Sequence, residues 1–161
     1  MKVICFPTLS QLFDNLTPKL EHQIVAGFEK YFQAPIGSLK LMLLHLKKQE
    51  LLTDGDIVTM IMISESAADT QNLVAFGQLI NIDHGDWTVI NLFKDCNSAP
   101  KGIGAYLLKC LENFAHKHLR VPMLRLDCDA FKLAQYYQKL GWKLQGNTFL
   151  NDGKFHLEKY Y

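Results

Sequence analysis

The chain of 161 residues lacks any run of about 18 uncharged apolar residues, so we expect no membrane-spanning helix. Residues 1–7 carry one lysine, but their apolar run is too short to predict a secretory signal. The formal net charge is only +1, which does not favour a nucleic acid or a polyacid as partner. These absences leave a globular protein with neither a membrane nor a nucleic acid as its expected partner.

The chain also has few cysteines, which are Cys5, Cys96, Cys110 and Cys128. No two of them have the C-x-x-C spacing, so the sequence indicates neither a zinc site nor a redox pair. His116 and His118 lie two positions apart on a predicted helix and face different directions, so they do not form a metal pair. We therefore expect reduced thiols, a cytoplasmic location and no bound metal.

Hydrophobic periodicity divides the chain into alternating groups of strands and helices without repeats or linkers. It predicts strands over residues 2–6, 57–64, 72–82, 87–94, 123–129, 142–149 and 154–160. It predicts two helices within residues 8–52, starting at Thr17-Pro18 and at Ser38, and two later helices over residues 102–118 and 131–140. This order predicts one α+β domain over residues 1–161, with a mixed, mostly antiparallel sheet flanked by helices. The sheet becomes parallel where the 102–118 helix crosses over.

A glycine-containing turn, Ala99-Pro100-Lys101-Gly102-Ile103-Gly104, leads into the 102–118 helix. Glycines permit close approach to the backbone, and a helix N-terminus offers N–H groups that suit a pyrophosphate. A plain tight turn is an equally good interpretation of these residues alone. The dinucleotide fingerprint is excluded because Leu107 stands where it needs a third glycine. The P-loop is excluded because no Gly-Lys-Ser/Thr occurs.

A pair of tyrosines, Tyr136 and Tyr137, lies near the end of the 131–140 helix and is followed by Gly141 and Trp142. Such a pair is more often an aromatic packing element than a catalytic one. A phenol has an ordinary pKa of about 10, so at neutral pH it can donate a proton to a departing thiolate.

Residues 92–145 resemble the acetyl-coenzyme A core of the GNAT N-acetyltransferase superfamily. The phosphate-turn pattern of that family, [Q/R]-x-x-G-x-[G/A], falls on the six residues that begin at Ala99 and end at Gly104. Its Tyr-x-x-x-Gly-aromatic ending falls on Tyr137, Gly141 and Trp142. The helix, strand and helix that separate the two motifs have the order and lengths of the family.

The resemblance implies direct transfer of an acetyl group from acetyl-CoA to a primary amine of a small molecule or protein, in a ternary complex. The backbone of Leu92, Phe93 and Lys94 would pair with the pantetheine arm. Tyr137 would be the general acid for the CoA thiolate, and the acceptor would bind between the N-terminal helices and the C-terminal hairpin. The residues that would hold the pyrophosphate are Ala99, Pro100, Lys101, Gly102, Ile103, Gly104 and Ala105.

Three positions depart from the family pattern. Ala99 stands where the family prefers Arg or Gln, Pro100 removes a backbone N–H, and Ala130 stands where Asn is frequent. These departures predict a reduced affinity for CoA. They also keep open a non-catalytic acyl-CoA-binding or regulatory module as an alternative. A third alternative, an acetyltransferase that acts on aminoacyl-tRNA, predicts a strongly basic face beside the cleft.

The general base is left open by the sequence. A neutral amine is needed for attack, and the candidate bases are Glu65, His84, Asp127 and Asp129, each of which could equally be a solvated surface group. His156 has no sequence context that suggests a role. Whether the protein is a monomer or a homodimer is also left open.

Overall fold

The computed structural model describes residues 1–65, 71–82, 85–95, 97, 99–146 and 153–161. Its strands are β1 Lys2–Phe6, β2 Ile57–Glu65, β3 Gln71–Ile82, β4 Asp86–Lys94, β5 Met123–Cys128, β6 Lys143–Leu144 and β7 Phe155–Tyr160. Its helices are α1 Leu9–Asn15, α2 Pro18–Phe32, α3 Leu39–Gln49, α4 Ile103–Phe114 and α5 Phe131–Lys139. A short 3-10 turn, Asp54–Asp56, precedes β2, and a π-helical turn, Ala115–Leu119, follows α4. Within the described ranges, no helix has the length and apolarity needed to cross a membrane.

The seven strands form one sheet in the order β1-β2-β3-β4-β5-β7-β6. Every neighbouring pair is antiparallel except β4 and β5, which are parallel. The parallel pair arises because α4 crosses over between these two strands. The predicted mixed, mostly antiparallel sheet is therefore confirmed.

The two faces of the sheet are covered by different helices. On one face, Leu107 and Leu111 of α4 and Ala134 of α5 pack with buried residues of the central strands. On the other face, Ile24 of α2 and Leu43 of α3 belong to a second buried cluster. Because strand side chains alternate between faces, β2, β3 and β4 each contribute residues to both clusters.

Helix α1 is absent from the prediction, which has two helices rather than three before β2. It is only 7 residues long, too short to give a periodic signal over several turns. Thr8 caps it by accepting a hydrogen bond from the Gln11 N–H at 3.2 Å. Two of its own residues, Leu9 and Leu12, are almost completely buried. Tertiary burial and the cap, rather than an extended pattern, therefore form this helix.

One predicted helix is shorter in the structure, and one predicted strand is only partly covered by the described residues. The 102–118 helix is α-helical only over Ile103–Phe114 and continues into the π-helical turn, after which Arg120 takes a left-handed backbone with φ 55°. Within the described part of the predicted 142–149 strand, only Lys143–Leu144 is a β-strand. The Gln145 N–H still donates to the His156 carbonyl at 2.9 Å. The connections that follow the predicted 72–82 and 142–149 strands lie partly outside the described residues.

A β-bulge bends β4 where it leaves the central sheet. Phe76 opposes Phe93 and Gln78 opposes Ile90, so Asn91 and its successor together oppose a single residue of β3. Asn91 takes a positive φ of 53° and its side-chain N–H donates to Gln78 Oε1 at 2.9 Å. Bulges increase the local bend and twist of a strand, and here the bend lies next to the parallel partner. This geometry sets up an opening between β4 and β5.

Candidate active site

The opening between β4 and β5 forms a cleft. The two strands are paired only at Thr88↔Arg125 and Val89↔Leu126, in the part of the chain that the structure describes. Beyond these positions, Leu92, Phe93 and Lys94 of β4 line a cleft of about 570 Å³. An extended ligand could add a strand to the edge of β4 at this point.

A second cleft of about 420 Å³ continues from the first and contains three of the predicted site elements. It shares Leu92, Phe93, Lys94, Leu133 and Tyr137 with the larger cleft and adds Gly102, Gly104 and Tyr136. The end of β4, the glycine turn and the tyrosine pair are therefore brought to one place.

The glycine turn presents open backbone to this second cleft. Gly102 caps α4 in a left-handed conformation with φ 88° and provides no side-chain hydrogen bond to the first turn. A Cβ added at Gly102 or Gly104 would meet no atom within 4 Å. First-turn N–H groups have no partner within a helix, so this end of α4 can bind an anion.

Two other residues of the turn, Ala99 and Ile103, contact the core rather than the cleft. The Ile103 side chain is buried in the core beneath the turn. The Ala99 N–H donates to the Asp95 carbonyl at 2.9 Å, and the Ala99 side chain packs against the same core. Within the described residues, those of the predicted cradle that line neither cleft are Ala99, Pro100, Lys101, Ile103 and Ala105.

Tyr137 is buried beside the cleft, with only 7% of the residue exposed. Burial raises the pKa of its phenol to about 12, and the nearby Cys128 and Tyr136 act in the same direction. The helix end fixes its backbone, since its carbonyl accepts from the N–H groups of Leu140 at 2.9 Å and Trp142 at 3.1 Å. Tyr137 therefore keeps its proton throughout the neutral range and holds it at the cleft.

Cys128 lies in the same buried cluster as Tyr137 and also lines the larger cleft. Burial, reinforced by the carboxylates of Asp129 and Asp127, raises the pKa of its thiol to about 11. A thiolate is the nucleophilic form of cysteine, so this side chain is unreactive at neutral pH.

The structure separates the four candidate bases. Asp127 and Asp129 line the larger cleft. Glu65 pairs with Gln71 at the far end of β2, is exposed, and lines neither of the two clefts. His84 lies outside the described residues.

Asp127 has a partner that sequence reasoning missed. It opposes His156 across β5 and β7, and His156 Nδ1 lies 2.6 Å from Asp127 Oδ1. A carboxylate can only accept, so the imidazole donates. Only the pairing register of β5 and β7 brings these residues together, and the sequence does not give that register. Across the described ranges, no three His, Cys, Asp or Glu side chains group as metal ligands.

Aromatic side chains from the end of α2 form one wall of the larger cleft. Tyr31 and Phe32 both line it, and Tyr31 stacks on Phe93 with ring centroids 5.6 Å apart. Phe93 in turn stacks on Phe76 with centroids 5.3 Å apart. Gly27 lets α2 approach this stack closely, because a Cβ at this position would overlap the Phe93 ring.

Replacing Gly27 by alanine is expected to destabilise the fold by about 1–3 kcal/mol, because the rigid Phe93 ring must move within a packed cluster. The gain in helix propensity offsets only about 1 kcal/mol of the clash. Urea unfolding measures the net change. Gly37→Ala is the matched control, because a Cβ at Gly37 meets nothing within 4 Å. Equal stability of the two variants would contradict the close approach.

Comparisons with protein-family models and with curated protein sequences give no match. Solved structures match almost the whole chain. An aminoglycoside 6'-N-acetyltransferase complexed with coenzyme A has a TM-score of 0.69 at 16% identity, over 99% of this chain and 97% of that chain. An acyl-CoA N-acyltransferase from Pseudomonas aeruginosa has a TM-score of 0.67 at 13% identity, over 98% of both chains.

A third solved structure, the PaiA N-acetyltransferase from Thermoplasma acidophilum in complex with coenzyme A, has a TM-score of 0.62 at 19% identity over 100% of both chains. At such identities the likeness concerns the fold, and it agrees with the sheet order and the parallel β4–β5 pair described above. The chain therefore has the fold of the GNAT superfamily of N-acetyltransferases.

Proposed function

We propose that the protein is an N-acetyltransferase that transfers an acetyl group from acetyl-CoA to a primary amine. The observation that carries the proposal is the convergence of the β4 edge, the open turn at Gly102 and Gly104, and Tyr137 on connected clefts. Structures of the same fold that are complexed with coenzyme A support the choice of co-substrate. A fold hosts many functions, so the site and not the fold carries this proposal.

The residues of the site fit a long, phosphate-bearing thioester. The backbone of Leu92, Phe93 and Lys94 would pair with the pantetheine arm as an added strand would. The N-terminus of α4 at Gly102 and Gly104 would hold the pyrophosphate through backbone N–H groups. The acceptor would first lose its ammonium proton to solvent, and the neutral amine would attack the acetyl carbonyl carbon of acetyl-CoA. The C–S bond would then break, CoA would leave as the thiolate, and the new amide nitrogen would release its remaining extra proton to solvent. Tyr137 would lie where the sulfur departs.

The raised pKa of Tyr137 defines how it would act. Complete transfer of its proton, from a pKa of about 12, to a thiolate whose conjugate acid has a pKa of about 8.5 is uphill by ~5 kcal/mol. The phenol would therefore stabilise the departing thiolate by donating a hydrogen bond, and the proton that completes the thiol can come from solvent. A hydrogen bond to a charged group is shorter and stronger than a neutral one.

The non-catalytic acyl-CoA-binding module remains the second candidate, because two residues of the site lack polar groups that could contact CoA. Pro100 offers no N–H to the turn. Ala130 precedes α5 and provides no side-chain cap, so this position has no polar side chain that could bind CoA. Such a protein would bind CoA without releasing it from acetyl-CoA.

Two measurements separate these candidates. Calorimetric titration measures the binding of acetyl-CoA, and a thiol-reactive dye measures CoA release in the presence of a panel of primary amines. Binding together with amine-dependent release is the expected result. Binding without release for any amine would favour the module, and the absence of both would overturn both candidates.

Replacing Gly104 by glutamate is expected to weaken acetyl-CoA binding by about 10-fold or more, because a carboxylate would meet the pyrophosphate. The fold should be unaffected, since the site of the added Cβ is open and an acidic group favours a helix N-terminus. Calorimetry measures the affinity, and thermal unfolding verifies the fold.

Gly104→Gln is the matched control, because it adds the same bulk without charge. The difference between the two variants isolates the electrostatic part of the effect. If Gly104→Glu bound acetyl-CoA as tightly as the wild type, the pyrophosphate would not lie at this turn.

A further inference from the structure

The Asp127–His156 pair lies on the face of the sheet opposite to Tyr137, and Asp127 lines the larger cleft. Along β5, Leu126 and Cys128 are buried in the cluster that contains Tyr137, whereas Asp127 points to the other face. Asp127 and Tyr137 nevertheless both line the cleft. The phenol and the carboxylate therefore flank the space between β4 and β5 from opposite sides.

This arrangement matches the geometry of direct transfer. An attacking amine and a departing sulfur occupy different positions around the same carbonyl carbon. If the sulfur leaves toward Tyr137, the amine enters from the side on which Asp127 lies.

The surroundings of Asp127 suit an organic cation with a flat apolar body. Asp129 adds a second carboxylate to the cleft, and Tyr31 and Phe32 line it from the end of α2. The Phe32 residue is 42% exposed, so a ring of a ligand can contact it. Lys94 and Lys154 also line the cleft, so its lining carries two cationic side chains beside the two carboxylates. A carboxylate pair beside aromatic rings is a combination that binds ammonium groups.

His156 holds the Asp127 carboxylate in place. The 2.6 Å hydrogen bond from Nδ1 engages Oδ1, and the side chains of His156 and Asp127 are 30% and 38% exposed. One carboxylate oxygen is thus fixed on β7, which orients the second oxygen for a ligand. His156 acts through Asp127 and is a positioning residue.

We propose that Asp127, oriented by His156, binds the ammonium group of the acceptor, and that the acceptor is a small primary amine with an aromatic body that packs against Tyr31 and Phe32. The proposal rests on the proposed acetyltransferase function and names its substrate class. In this proposal, Asp127 binds the amine on one side of the cleft, and Tyr137 stabilises the departing thiolate on the other side.

The probe for this proposal is 2-phenylethylamine, compared with spermidine, which carries several ammonium groups and no ring. Calorimetry measures binding of each amine to protein saturated with CoA, and thiol release from acetyl-CoA measures turnover. We expect 2-phenylethylamine to bind and to be acetylated with a kcat/KM at least about 10-fold above that of spermidine.

Replacing Asp127 by asparagine is expected to raise both the Kd and the KM for 2-phenylethylamine by about 10- to 100-fold, while kcat falls less and acetyl-CoA binding stays unchanged. The matched control is Glu158→Gln. Glu158 lies two residues from His156 on β7 and accepts hydrogen bonds from Gln145 and Tyr160, and it does not line the larger cleft.

His156→Asn and His156→Leu test the positioning role. An asparagine Nδ2 can replace the Nδ1 donor at the same reach, so His156→Asn should keep a KM close to that of the wild type. His156→Leu has no donor and should raise the KM toward that of Asp127→Asn. A purely structural role of His156 would not distinguish the two variants by KM alone.

The outcomes are separable from those of the proposed function. Amine-dependent release with an unchanged KM in Asp127→Asn would overturn this proposal and leave the acetyltransferase function in place. Preference for spermidine over 2-phenylethylamine would overturn the acceptor class. No release with any amine would overturn the acetyltransferase function, and this proposal with it.

Discussion

Lys159→Met is expected to destabilise the fold by about 3–5 kcal/mol, because it leaves a buried carboxylate without its main partner. Glu112 of α4 is only 2% exposed, and Lys159 Nζ on β7 donates to both of its oxygens at 2.9 and 3.0 Å. Trp142 Nε1 donates to the same carboxylate at 2.9 Å, and Lys159 also donates to the Leu140 carbonyl at 2.8 Å. Chemical unfolding measured at pH 7 gives the difference in free energy.

Two variants separate the buried pair from charge in general. Lys109 also contacts Glu112, at 3.3 Å, but its side chain is 59% exposed, so Lys109→Met should cost less than about 1 kcal/mol. The double variant Glu112→Gln with Lys159→Met removes both charges and should recover part of the loss. If Lys159→Met cost no more than Lys109→Met, the buried pair would not tie α4 to β7.

Local patterns in the sequence were sufficient to predict most of the fold. Alternation over residues 123–129 predicted a half-buried strand, and the structure buries Leu124, Leu126 and Cys128 and exposes the residues between them. The predicted parallel pairing followed from the crossover of α4, and it is observed between β4 and β5. These features depend on periods of two and 3.6 residues, which a sequence displays directly.

Features that depend on distant partners could not be predicted. Glu112 carries a charge on a helix, where an exposed position is expected, and it is buried only because Lys159 and Trp142 meet it. The proposed positioning role of His156 depends on the strand register that places it opposite Asp127. Neither contact has a local signature, because each joins residues that are 29 or more positions apart.

The predicted pyrophosphate-binding residues, 99–105, show what motif spacing can predict and what it cannot. The glycine turn and Tyr137 are far apart in the sequence, and both line the same cleft. Spacing does not tell which side chains point inward. Among the seven cradle residues, Gly102 and Gly104 line that cleft, whereas the Ile103 side chain anchors the turn in the core. The proposed contacts would therefore be made by the backbone, which does not require a polar side chain at position 99.

Tyr137→Phe is expected to lower kcat by about 100-fold, because it removes the hydrogen-bond donor to the departing thiolate. The binding of acetyl-CoA and the KM for the amine should change little, since the phenol would interact most strongly when the sulfur becomes charged. Phenylalanine fills nearly the same buried volume, so thermal unfolding should show an intact fold. Thiol release at saturating acetyl-CoA measures kcat.

The raised pKa of Tyr137 adds a second, independent expectation. With a pKa of about 12, the phenol stays protonated well above neutral pH, so ionisation of this group should not reduce kcat below a pH of about 10. Tyr136→Phe is the matched control, because Tyr136 lines the same cleft but is 41% exposed, and it should change kcat by less than about threefold. A kcat of Tyr137→Phe within twofold of the wild type would show that the thiolate departs without this phenol, and Tyr137 would then be a packing residue.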